Sequence, residues 1–176
     1  MLHDSKEREL FAAGGYDALL SLAQQHALPL SVLGRDVGHL LAGAAPRFPR
    51  LQFVIDHCGW VRSQQPWDAV LALARHSNTW LKWSHAHRAF GRDGAAGVQR
   101  GFAQALAAFG PQRMVWAGDV THEESSATWS QLLGFVLHNP ALDDEARTWV
   151  LGRSARQLFR WPAPETAPST EPLETI

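Results

Sequence analysis

Three stretches of this chain run from apolar residues straight into side chains able to do chemistry. They read LQFVIDHCGW (51–60), TWLKWSH (79–85) and RMVWAGDVTH (113–122). A neutral imidazole such as His57 ligates metals or moves protons near neutral pH. Taken alone, it reads first as a strand-closing histidine satisfied by backbone. Asp119 follows the apolar residues 114–117. A carboxylate there suits a cation ligand or a general base acting on water, and equally the N-cap of the next segment.

His85 and His87 form an HxH pair, which on an extended strand puts both rings on one face and lets them chelate a metal. In a chain with nine histidines, a three-letter pattern beyond the strand reads instead as two solvated loop residues. Lys82 lies within the strand pattern itself. Burying a lysine unpaired is costly, so it must reach a carboxylate, a substrate anion or solvent. His122 is a rim residue, three positions after Asp119. Asp56 alternates with His57 on an extended chain and should face the other way, as a cap. By the same alternation Cys58 cannot pair with His57 as a nucleophile and reads as a small apolar spacer.

The elements that must position these residues alternate in kind. YDALLSLAQQHA carries apolar residues at helical spacing, and LPLSVLG is a short apolar run closed by Gly34. VGHLLAGAAPRF predicts a helix stopped by Pro46 and Pro49. A strand over 51–55 follows, then the helix PWDAVLALARHS, the strand TWLKWSH, the helix GVQRGFAQALAAFG and the strand RMVWAGD. SATWSQLLGFVLHN and DDEARTWVLGRSARQLFRW are two final helices. The order α-βα-βα-βα-βα-α implies right-handed crossovers and a parallel sheet. In such sheets, function collects at the C-terminal strand ends.

With 176 residues, 45% of them hydrophobic and 19% charged, and a net charge of −1, the chain has the composition of one soluble domain. That balance argues against an electrostatic nucleic-acid partner. The single cysteine, Cys58, excludes an intrachain disulfide and a Cys-rich zinc cluster. MLHDSKEREL lacks the apolar core of a signal peptide, and no apolar run is long enough for a membrane span. The default expectation is therefore a cytoplasmic protein without membrane contact. Residues 1–161 form the domain, and the Pro-, Thr- and Glu-rich 162–176 is expected to be a disordered tail. Among the eight tryptophans, Trp60, Trp83 and Trp116 fall at strand ends, where they suit a pocket wall or a core edge.

Four motifs in order, FPRLQFVIDHCGW, PWDAVLALARHSNTWLKWSH, FGPQRMVWAGDVTHEES and RSARQLFRW, resemble the C-terminal half of the amidohydrolase-related (amidohydrolase 2) TIM-barrel hydrolases. The branch is the lactonase-like one, of 2-pyrone-4,6-dicarboxylate lactonase and sugar lactonase type, and the resemblance spans about residues 15 to 161. It implies an α/β fold, the C-terminal half of a (β/α)8 TIM barrel, with parallel strands five to eight and their helices. His57 matches the family's histidine after the sixth strand, Lys82 the lysine of the seventh, and Asp119 the aspartate after the eighth. His122 matches the histidine that follows, Arg113 an arginine entering the eighth strand, and Asn78 a structural asparagine before the seventh. The HxH pair of the family's first strand has no counterpart, and neither does the fifth-strand histidine of the decarboxylase-like members. AGDVTH stands where GSDWPH is usual.

The resemblance implies a hydrolase that opens a lactone or similar cyclic ester. Asp119 would activate water, and His57 would polarise the carbonyl. Lys82, His85, His87 and His122 would bind a substrate carboxylate. A divalent metal, zinc or manganese, would sit on His57 and Asp119, or the site would be metal-free. The expected partner is a small carboxylate or lactone. Half a barrel would leave an apolar inner face uncovered and two strand edges open to self-association. The chain would then be a truncated product, a fragment or one partner of a two-chain barrel, with turnover impaired. The alternatives are a non-catalytic remnant or interaction subunit and a metal-dependent decarboxylase.

Overall fold

The chain's computed structural model describes Leu2, residues 4–120 and residues 127–162. His122 and all but the first residue of the expected tail lie outside the described residues. Four short strands, β1 (Leu30–Val32), β2 (Phe53–Ile55), β3 (Thr79–Trp83) and β4 (Met114–Trp116), form one parallel sheet in the order β1-β2-β3-β4. The helices are α1 (Ser5–Ala12), α2 (Asp17–Gln25), α3 (Val37–Ala44), α4 (Gln64–Ala72), α5 (Ala86–Phe90), α6 (Gly94–Phe109) and α7 (Trp129–Leu137). A last helical run comprises α8 (Asp144–Thr148), a π-helical turn over Trp149–Arg153 and α9 (Ser154–Phe159). Sequential strands pairing side by side in parallel, each joined to the next through helix, are the arrangement of part of a (β/α)8 barrel.

Two helices were not expected from periodicity. In α1 the apolar residues are few, and the Asp4 side chain starts the helix by accepting from the Glu7 amide at 2.7 Å. The five-residue α5 begins directly after His85. The predicted strand over 51–55 shortens to Phe53–Ile55 because the chain ahead of it serves as an acceptor platform. There the Asn78 side-chain amide donates to the carbonyls of Ala45, Phe48 and Leu51 at 3.0–3.1 Å. Thr128 and Gln131 form a capping box on α7.

Strand alternation splits the core in two. Phe53, Ile55, Leu81, Trp83 and Met114 face the helices, packing with Leu41, Trp67, Val70 and Phe102. Val54, Trp80 and Val115 face the other way and form a second cluster with Leu158 of α9. This corrects one expectation: the inner face of the sheet is not bare. Leu158 packs on it, and Val54, Trp80 and Val115 are all buried. The edge of β1 also carries one contact, since the Leu2 amide donates to Leu33 O at 2.7 Å in a parallel bridge with Gly34. A Cβ at position 34 would meet the Leu2 carbonyl oxygen at 2.5 Å, so this close approach needs glycine.

Candidate active site

Three consecutive strands deliver one polar side chain each to the same end of the sheet, and each does so on unusual backbone. β2 leads into the tight turn Asp56–Trp60, in which His57 (φ 48), Cys58 (φ 51), Gly59 (φ 76) and Trp60 (φ 55) are all left-handed. His85, after β3, has φ 55, and Asp119, after β4, has φ 50. Left-handed backbone costs a non-glycine residue about 1 kcal/mol or more. It persists where the surroundings impose it, and functional sites are where it clusters. At Gly59 a Cβ would lie 2.5 Å from Val70 Cγ2, so this member of the turn is also closed by packing against α4.

Those backbone turns aim His57, His85 and Asp119 at one point. His85 Nε2 lies 3.0 Å and His57 Nδ1 3.5 Å from Asp119 Oδ2. Each of the three side chains offers a donor atom within 4.8 Å of the others. Both histidines are buried. Asp119 Oδ2 is buried too and accepts no well-directed hydrogen bond from the described residues, although both imidazoles are close. A buried carboxylate oxygen left in that condition fits a cation held jointly by two imidazole nitrogens and a carboxylate, a donor set that suits zinc.

Neighbouring groups fix the rings. Ser84 Oγ lies 2.8 Å from His57 Nδ1, with the tautomer deciding which of the two donates. Trp60 stands edge-on to both histidines, its ring centroid 5.7 Å from that of His57 and 4.9 Å from that of His85. Of the three strand-end tryptophans, Trp60 walls an open cleft, whereas Trp83 is buried in the core. Lys82 Nζ sits 2.5 Å from Asp56 Oδ1, so the in-strand lysine has its carboxylate. Asp56 also accepts from the His57 amide at 3.1 Å, which makes it both a local cap and the partner of Lys82. Cys58 Sγ lies 3.3 Å from Ser84 O in a fully buried position, and burial pushes its thiol up to about 12, the behaviour of an inert spacer.

The HxH pair behaves unlike either reading of its spacing. His85 is not a solvated loop residue, being 7% exposed and part of the converging group. His87 is the second residue of α5 and lines an apolar cavity with Trp83, Trp116 and Phe135, to which Ser84 and His85 also contribute. The two rings part because the left-handed backbone at His85 ends the extended chain before the second histidine. Ser84 was not singled out by sequence reasoning, and no spacing rule would have found it.

A family model described as an amidohydrolase matches residues 3–161. The chain belongs to the amidohydrolase family. No curated protein shows significant similarity to it. Among solved structures, this amidohydrolase is similar to one from Burkholderia multivorans with bound zinc, at 20% identity and a TM-score of 0.81. That match covers 92% of this chain and 62% of the other. A provisionally named 2-pyrone-4,6-dicarboxylic acid hydrolase from Pseudomonas putida gives 21% identity and a TM-score of 0.75, over 88% of this chain and 59% of that one. Amidohydrolase 2 from Bifidobacterium longum subsp. infantis gives 20% and 0.66, over 80% and 53%. The chain thus spans about three-fifths of the length of the first two, and its fold is the corresponding part of a TIM barrel. No helix among the described residues is long and apolar enough to cross a membrane.

Proposed function

We propose that this chain carries the water-activating part of a hydrolytic site that opens a lactone or similar cyclic ester. The observation carrying this reading is the buried Asp119 carboxylate, with His85 at 3.0 Å and His57 at 3.5 Å. In that position Asp119 takes a proton from water as the water attacks the carbonyl. His57 polarises the carbonyl oxygen, and Ser84 holds the His57 ring in place. His57, His85 and Asp119 would hold a divalent ion, zinc or manganese, which when bound supplies Lewis acidity and a more acidic water. Buried surroundings strengthen each of these charge interactions relative to open water.

The bound zinc of the Burkholderia relative and the cyclic ester named for the Pseudomonas relative support this choice of metal and bond. Lys82, already paired with Asp56, would offer its remaining charge to a substrate carboxylate, and His122 would contribute from the rim. Because the chain matches only part of each relative, we place its turnover alone below the ordinary enzymatic range of roughly 1–1,000 s⁻¹.

The test is proton release from a panel of simple and carboxylated lactones, followed in a pH-stat with zinc-loaded protein. The expected result is slow ring opening that disappears in Asp119→Asn. Opening no faster than buffer, or equal rates in the variant, would sink the hydrolytic reading. Turnover within the ordinary range would sink only the impairment.

A further inference from the structure

The sheet has two open ends. Among the described residues, β1 pairs along Leu30–Val32 with β2 alone, and β4 pairs with β3 alone. The Leu2 bridge touches the β1 side only at Gly34, past the strand. Such edges hold rows of amides and carbonyls ready for another strand.

The large hydrophobic residues left exposed gather at those same two ends. On the β1 side they are Leu10, Leu19, Leu22 and Leu28, in or beside α1 and α2. Leu19 lines a groove along β1 with Leu30 and Val32. On the β4 side they are Trp129 and Leu137 of α7, with Phe159 and Trp161. Trp129 stands edge-on to Trp116 of β4, Phe159 stacks with Trp161, and α9 packs against β4. Helices α3 to α6, which lie between these ends, expose no large hydrophobic residue.

Charge separates the two ends as well. Residues 4–28 hold the carboxylates Asp4, Glu7, Glu9 and Asp17 against the cations Lys6 and Arg8. Their ion-pair partners from elsewhere, Asp36 and Arg47, offset each other. The last helical run starts on three carboxylates, but from Trp149 to Trp161 it carries Arg153, Arg156 and Arg160 and no acid. Each end therefore suits the other better than it suits its own kind.

We propose that two copies of this chain associate head to tail, the β1 end of each against the β4 end of the other, closing one eight-stranded parallel ring. A (β/α)8 barrel needs eight strands, and each copy brings four. A head-to-tail contact forms a ring when its rotation closes, and half a barrel per chain makes two the closing number. The drive comes from the ends, since the inner face already has Leu158 packed on it. All strands of the ring run the same way, so both copies present His57, His85 and Asp119 at one mouth. The pairing does not depend on the reaction assigned to those residues.

The experiment is sedimentation equilibrium of the full chain over a concentration series. One chain is 19.5 kDa, and the expected mass is twice that, with no growth beyond two copies. Leu19→Glu with Leu22→Glu at one end, and Trp129→Glu with Phe159→Glu at the other, should each weaken association at least about tenfold. All four positions are exposed, so the variants keep the fold, which circular dichroism checks. Ala103→Glu, exposed on α6 between the ends, is the control and should pair as the parent does. A parent chain that stays monomeric overturns the proposal and leaves the open ends to a different polypeptide. Loss confined to the variant of one end points to like ends meeting and overturns the head-to-tail arrangement. A mass that keeps rising with concentration overturns the closed ring.

Discussion

His85 Nε2 and Asp119 Oδ2 stand 3.0 Å apart, each at the end of its own strand and each on left-handed backbone. The two residues meet because β3 and β4 are neighbours in register, with Trp83 opposite Trp116. Their pairing, with His57 added, is the basis of the hydrolytic assignment.

Asp119→Asn keeps the shape of the side chain and removes its charge and basicity. Lactone opening should fall by about 10²- to 10⁴-fold, the usual contribution of a positioned base. Zinc affinity, read by calorimetry, should fall with it, and parallel loss of both would tie metal and base to one carboxylate.

His85→Ala and His87→Ala distinguish two residues that sequence spacing treats alike. The first should lower zinc affinity by more than the roughly 10–100-fold that loss of an outer partner costs. The second, whose ring lines the apolar cavity, should leave it within about twofold. A chelator-competition titration of the two variants side by side gives the comparison.

Asn78→Ala tests the platform beneath β2. One side-chain amide there donates to three buried carbonyls, and its removal takes that donor from each, with Phe48 O keeping the Leu51 amide. At about 1–3 kcal/mol for such a loss, and somewhat more for several shared acceptors, denaturant unfolding should show roughly 2–4 kcal/mol less stability. The m-value should stay unchanged.

Cys58 supplies the alkaline prediction. Burial raises its thiol from 9.0 in the ordinary state to about 12 in the fold. The folded state therefore favours the neutral thiol, and this contribution to stability is complete below pH 9. It is lost as pH rises from 9 toward 12, where the unfolded chain ionises first. Native protein should resist iodoacetamide at pH 8 and react after denaturation. Cys58→Ala should flatten the fall in melting temperature between pH 9 and 11.

Much of the fold was legible because its signals are local. Alternating apolar runs and helical periods named the four strands and most helices, and the apolar residues 114–117 placed Asp119 at a strand end. The short α1 and α5 escaped because a cap and a backbone turn start them, rather than an apolar stripe. Asp56 as the partner of Lys82 was open in the sequence, since alternation says which way a side chain leaves the strand but not what waits there.

By itself, then, the sequence determined a parallel α/β sheet with histidine and aspartate at its C-terminal strand ends, because periodicity and strand-end chemistry are written in consecutive residues. Only the tertiary structure decided that His85 joins His57 and Asp119 while His87 turns away, and that Leu158 covers the inner face. The physical reason is the same in both cases. Left-handed backbone at non-glycine residues and contacts between distant segments are imposed by packing, and neither leaves a spacing in the chain to be read.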